Sequence, residues 1–296
     1  MKKGIYFVMV VCLMLLVSAG FVEATVITSL PYTITKSGLY TIDANLRSSG
    51  HGIIVNANNV TIDLNGYTIS GNKTGFYHGV YMNGRSNVEI RDGTIRDFGA
   101  YGIYEESVLS GNSHRIINVR VVKNKFGGIE LRGSNHIVKD CSASYNGGSG
   151  IYAGTGSTVN GNAAYNNELR GFVADNSSTV SGNTACTNGS FGIYANIGST
   201  VNGNTANGNG GCGIYAKSGS MVSGNSACNN GGSGIYADLG SSIKNNTAYN
   251  NQIYGIDLSG YSLVDGNTAY SNNQIGGSFS NVSPCETCVF GINVAP

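Results

Sequence analysis

With 296 residues, 45 of them glycine and three proline, and a formal net charge of +1, the chain has no bulk electrostatic drive toward nucleic acid. Its basic and aromatic residues match no nucleic-acid-binding module. Beyond the N-terminus no ten residues keep helical spacing, which excludes a helix-based domain and leaves short strands as the building unit.

Lys2 and Lys3 precede an apolar run from Ile5 to Val17, and "VEA" at 22–24 offers a small-residue cleavage site, so residues 1–24 read as a signal peptide. The run is short for a membrane span and no second apolar segment follows. The mature chain is therefore expected without stable membrane insertion: secreted, periplasmic or at the surface of a prokaryotic cell. Residues 25–50, with "GLYTIDANL", are expected to form an N-terminal cap and the first strands, because the open end of a stack of strands needs cover.

Residues 51–280 are repetitive. A glycine followed by an aliphatic or aromatic residue recurs at Gly52, Gly79, Gly102, Gly128 and Gly150, and then every 21 residues to Gly255. The earlier steps are 27, 23, 26 and 22 residues, so insertions concentrate in the N-terminal half. Inside a repeat the apolar spacing is two, broken by Gly and Asn. That pattern predicts about three short strands per turn of chain in an all-β, single-stranded parallel solenoid of about ten coils of about 21 residues. Stacking at roughly 4.8 Å per coil aligns equivalent positions into columns. One inward column is Ile53, Val80, Ile103, Ile129, Ile151, Phe172, Ile193, Ile214, Ile235 and Ile256. Two residues on, a second holds Val55, Met82, Leu131, Ala153 and their equivalents, interrupted by Glu105. The long "EESVLSGN" loop is expected to begin early and free Glu105 from that column. Asn162, Asn183, Asn204, Asn225, Asn246 and Asn267 each follow a Gly or Asn at a bend. They read as a structural ladder, with Asn chosen for its tolerance of left-handed backbone and for side-chain bonding from coil to coil.

Residues 281–296 read as a C-terminal cap or tail. In it, "CETC" places Cys285 and Cys288 for a local disulfide or as free thiols. Cys186 and Cys228 share a column two coils apart, about 9.6 Å and beyond disulfide reach.

"NNVTIDLNGYTISG" (58–71) and "SNVEIRDGTIRDF" (86–98) resemble coils of the right-handed parallel β-helix superfamily, the pectate-lyase-like solenoids. The resemblance covers about residues 34–280 and implies a right-handed coil. It leaves function open, because that fold hosts lyases, hydrolases, epimerases, phage spikes and non-catalytic surface proteins. The superfamily's polygalacturonase trio "NTD", "DD" and "RIK" is absent, as is the "DPHE" of alginate epimerases. No aspartate cluster resembles the calcium site of pectate lyases, so no metal or cofactor is expected, and Ca2+ only if the protein is a lyase.

Chemistry is unevenly placed. Residues 25–170 carry 23 charged side chains and all four histidines, against seven charges in 171–296. Strand parity places His78, Tyr81, Tyr101, Tyr104, Glu106, Glu130, Arg132 and Tyr152 on one outward face. Glu130, Arg132, Glu106 and His78 are candidates for proton transfer or charge stabilisation. Tyr81, Tyr101, Tyr104 and Tyr152 are candidate sugar platforms. Stacked outward tyrosines also stabilise a sheet without any ligand. A second, basic cluster of Arg91, Arg96, Arg115, Arg120, Lys123, Lys125 and Lys139 is interleaved with acids. The expected function is binding or coating of polysaccharide without catalysis. The alternatives are a polysaccharide lyase or hydrolase, possibly on a uronate-containing chain, and a purely structural or adhesive solenoid.

Overall fold

The structure, a computed structural model, describes residues 23–107, 109, 111–274 and 281–295. Of the expected signal peptide only Glu23 and Ala24 fall among them. All regular elements of the described residues are strands, and none of these residues forms a helix long and apolar enough to cross a membrane.

The chain winds as a right-handed parallel β-helix. A front sheet of eleven strands runs from Tyr32–Ile34 through Ile103–Glu105, Ile129–Ser134 and Ile151–Thr155 to Ile256–Leu258. Every pairing is parallel and equivalent residues align, as in Tyr104 beside Glu130 and Glu130 beside Tyr152. Two further strands per coil close the turn. In Val88–Arg96 and Arg115–Val122 they run together, bent at Asp92 and Asn118, whose φ values are positive. Parallel stacking reaches one coil further toward the N-terminus than the glycine repeat, because Tyr32–Ile34 pairs with Ile53–Val55.

Alternation by two sends one set of side chains inward, and these meet in a single column-built core. Ile103, Ile151, Ile193 and Ile214 are fully buried, each gaining roughly 1.5–3 kcal/mol by leaving water. A thin solenoid has room for one layer of such residues, so the corners must be polar and satisfied.

The asparagine ladder supplies one corner. The Asn204 side-chain amide donates to Asn225 Oδ1 at 3.0 Å and to the Val180 carbonyl at 2.9 Å, and its backbone N–H donates to the same Asn225 oxygen. The reason for Asn differs from the expectation. The left-handed residues are the glycines before it, Gly161, Gly182, Gly203, Gly224 and Gly266, and Asn245. The ladder asparagines themselves are buried in ordinary backbone and are selected for their bonds.

Two more ladders occupy the other corners. Asn124, Asn146, Asn167, Asn188, Asn209, Asn230, Asn251 and Asn272 bond in sequence four residues before each anchor glycine. They explain the anchors: a Cβ on Gly192 would lie 2.7 Å from Asn209 Nδ2 and 2.6 Å from the Gly213 carbonyl. The third ladder is Ser157, Ser178, Ser199, Ser220, Ser241 and Ser262, each hydroxyl accepting a backbone N–H from the coil before. At the C-terminal end Val289–Phe290 adds a strand beside Leu263–Asp265. Cys285 and Cys288 are joined in a disulfide there, while Cys141, Cys186, Cys212 and Cys228 are free.

Candidate functional site

All four histidines use Nδ1 as a corner acceptor. His51 takes the His78 N–H, His78 takes the Tyr101 N–H, His114 takes the Val88 N–H and His136 takes the His114 N–H. An accepting Nδ1 puts the proton on Nε2 of a neutral ring. Burial, reinforced by His51, lowers the His78 pKa to about 4. At neutral pH, His78 therefore presents an Nε2–H donor to the face.

Glu105 corrects a second expectation. It does not leave the inward column with the following loop; it ends the strand Ile103–Glu105 with no exposed surface. Its carboxylate accepts from the Gly84 and Ser107 N–H groups, both at 2.8 Å, and lies 3.2 Å from His114 Nε2. Burial pushes this carboxyl up, but the three hydrogen bonds outweigh it and hold the pKa below the ordinary value. A Cβ on Gly111 would fall 2.4 Å from Glu105 Cδ, so the loop returns on a glycine to make room.

On the outer face the aromatic rings stack on one another. His78 and Tyr104 lie 4.6 Å apart at 15°, and Tyr101 and Tyr104 lie 4.8 Å apart at 11°. Tyr81 joins the same stack and donates to Glu106. That bond, with burial, raises the tyrosine pKa to about 12. Further along, Phe191, Tyr194, Tyr215 and Tyr236 form a second stack. Rings stacked coil on coil spend their faces on each other, so only the end rings of each stack can offer a face to a ligand.

Between the two stacks lies a cleft. The column before each anchor glycine reads His51, His78, Tyr101, Gly127, Ser149, Arg170 and Phe191. Two small residues interrupt the bulk: the Tyr101 ring leans over Gly127, where a Cβ would lie 2.8 Å from it, and a gap remains from there toward Arg170. The resulting cavity of about 340 Å3 is walled by Tyr101 and Phe126 on one side and Leu169 and Arg170 on the other, with Glu130 and Tyr152 on its floor. An arginine ends each stack: Arg132 lies 5.6 Å from the Tyr104 ring centre and Arg170 lies 4.9 Å from that of Tyr194. The Arg132 Nε donates to Glu130 at 3.2 Å. Burial raises the Glu130 pKa despite this partner. Arg170 has a buried Nε without a hydrogen-bond partner. Tyr152 donates to Asp175 at 2.9 Å.

The expected site residues thus fall into two groups. Tyr101, Glu130 and Tyr152 line the cleft, with Arg132 bonded to Glu130 and Tyr104 stacked on Tyr101 behind them. His78, Tyr81 and Glu106 are engaged with their own neighbours higher in the first stack. Phe126, Leu169 and Arg170 were missed. The signal that finds them is the run of small residues in an otherwise bulky column. Among the described residues no group of three or more His, Cys, Asp or Glu is placed to hold a metal ion.

Residues 78–227, just over half of the chain, match the family described as "Right handed beta helix region", and the chain belongs to that family. No curated protein matches it in sequence. Among solved structures it resembles the A-module of the Azotobacter vinelandii mannuronan C-5 epimerase AlgE4, at 13% identity and a TM-score of 0.67 over 93% of this chain and 89% of that one. A double mutant of the periplasmic alginate epimerase AlgG is similar at 14% identity and a TM-score of 0.67, over 92% and 76%. The Dettilon tailspike protein is similar at 16% identity and 0.54, over 92% and 58%. At such identities the likeness is one of fold.

Proposed function

We propose that the protein is an exported β-helix that binds a polysaccharide chain, with one sugar unit seated in the cleft between the two aromatic stacks. The observation that carries this reading is the break at Gly127 and Ser149. It sets Tyr101, Glu130, Tyr152 and Arg170 around a space large enough for a sugar ring. Solved neighbours of the same fold are named for action on mannuronan and alginate, which supports a glycan as the ligand class.

Binding without turnover is favoured over hydrolysis because, among the described residues, a single carboxylate, Glu130, lines the cleft, and glycoside hydrolysis ordinarily takes two. The second reading, proton transfer in a lyase, is supported by the raised pKa of Glu130 beside Arg132. Ser149→Tyr tests the site. The same column carries Tyr101 and Phe191 on nearby coils, so the fold accommodates the ring while the gap fills. We expect unchanged melting and at least a tenfold loss of glycan affinity in gel retardation. Unchanged affinity would place the ligand elsewhere. Glu130→Gln separates the two readings: a lyase loses turnover by about 100-fold or more, and a binder shows none before or after.

A further inference from the structure

The expected basic cluster does not survive as a unit. Arg91 pairs with Asp63 and Glu89, Arg115 with Glu89, Arg96 with Asp97 and Lys139 with Asp140. Arg120 donates to Thr94. Among the described residues only Lys123 and Lys125 of that cluster lack a partner, and a third lysine, absent from the sequence reading, joins them. Lys73, Asp97 and Lys123 occupy one corner on successive coils, linked through backbone bonds from Lys73 to Asp97 and from Asp97 to Val122. Asp97 is held by Arg96 at 2.6 Å and by Lys73 at 3.4 Å, so its charge is already engaged. Lys73, Lys123, Lys125 and Tyr145 surround a surface pocket of about 530 Å3, with Glu168 the one acid among the described residues that line it.

This pocket adjoins the cleft. Gly147 lines both, and Gly148 continues the bare backbone between them. Neither position accepts a side chain: a Cβ on Gly147 would lie 2.1 Å from the Lys125 carbonyl, and one on Gly148 2.9 Å from that of Phe126. Close stacking of coils therefore keeps a side-chain-free floor leading from the aromatic cleft to the lysines. With Lys73 paired to Asp97 and Glu168 on the rim, Lys123 and Lys125 supply the excess positive charge, a local positive field on a chain of nearly zero net charge.

We propose that the Lys73–Lys123–Lys125 pocket is an oxyanion subsite, which takes a sulfate or carboxylate substituent of the polysaccharide whose neighbouring unit lies in the cleft. The proposal rests on the glycan-binding reading above and adds the charge of the ligand. Affinity for a charged chain then falls with salt, because exposed charges separated by more than about 8 Å are screened at physiological ionic strength.

The test measures dissociation constants for dextran sulfate, polygalacturonate and neutral dextran of matched length at low and physiological salt. Four proteins are compared: wild type, Lys123→Gln/Lys125→Gln, Ser149→Tyr and Lys244→Gln, the last an exposed lysine on a distant coil. The double variant is expected to lose roughly tenfold affinity for the charged chain it recognises at low salt, and Lys244→Gln nothing. Whichever of dextran sulfate and polygalacturonate shows the loss identifies the anion. Equal losses in the double variant and Lys244→Gln would overturn the subsite, as would wild-type binding to neither charged chain. An unaltered Ser149→Tyr alongside a weakened double variant would sink the cleft reading and leave the lysine subsite standing.

Discussion

The two halves of the solenoid solve the same corner problem differently. From Gly150 onward every coil repeats two asparagines and a serine at its corners, and the described residues there hold no ion pair. In the N-terminal half, His114 and His136 stand where the later coils use serine, Glu105 interrupts the apolar column, and every salt bridge of the described residues lies between Asp63 and Asp140. Uncharged amide and hydroxyl ladders propagate without limit because each side chain is both donor and acceptor. Histidine can also accept the N–H of an adjacent coil, as His136 does from His114 and His51 from His78, but its larger ring and the carboxylate of Glu105, which has no donor of its own, occur only among the coils that carry insertions. Regular coils therefore carry stability, and irregular ones provide the chemical variety from which the proposed binding face is assembled.

The largest effect should come from breaking the regular half. Asn225→Ala removes the amide that donates to the Val201 carbonyl and to Asn246, and the oxygen that receives two bonds from Asn204. Several buried groups are left unpaired at about 1–3 kcal/mol each, so a loss of at least about 3 kcal/mol is expected. Asn202→Ala, at an exposed position of the adjacent strand, should stay within about 0.5 kcal/mol. Urea midpoints of the two variants decide this; similar shifts would remove the ladder as the source of stability.

The second effect separates the halves by pH. Burial lowers the pKa of His136 to about 4, with help from His114, and that of His78 also to about 4. Glu105 is held below its ordinary 4.5. Between pH 6.5 and 4 the unfolded histidines bind protons that the folded ones refuse. Their contribution is complete above about pH 6.5 and is lost as pH falls through that window. The Glu105 contribution is present above about 4.5 and is lost below it. His136→Ser, which installs the residue of the later coils, should flatten the histidine part by up to roughly 3 kcal/mol. The readout is the urea midpoint at pH 7 and pH 4.5. A variant with an unaltered pH slope would show that the buried imidazole does not govern acid sensitivity.

Much of this comparison was legible in the sequence. The 21-residue step, the isoleucine columns and the Asn162–Asn267 ladder follow from spacing alone, because apolar alternation and a repeated bend are local properties. The second asparagine ladder was equally periodic, four residues before each anchor glycine. It was overlooked because the adjacent glycines already accounted for the corner. Glu105 was misread because its partners, His114 and the Gly84 and Ser107 amides, come from two coils and a loop, and no local pattern announces three convergent donors. The cleft was half legible. Its charged and aromatic residues were in view, but the feature that opens it is missing bulk at Gly127 and Ser149, and absence carries no propensity. Arg170 escaped with it.

The smallest effect tests what an aromatic stack is for. Tyr215 lies inside the second stack, 5.3 Å from Tyr194 and 4.6 Å from Tyr236, with both ring faces covered by its neighbours. Tyr152 is a lone tyrosine on the cleft floor, between Glu130 and Val173 in its column. If stacked rings serve the sheet and only unstacked or terminal ones meet the ligand, Tyr215→Ala should cost about 0.5–1.5 kcal/mol of stability and leave glycan affinity within twofold. Tyr152→Ala should weaken binding several-fold, and Tyr249→Ala, on another face beside Tyr270, should not change it. Melting midpoints and gel retardation on the same protein samples give both quantities. Equal loss of affinity in Tyr215→Ala and Tyr152→Ala would mean that the ligand runs along the whole tyrosine column, and the cleft would then be one stop on a longer track.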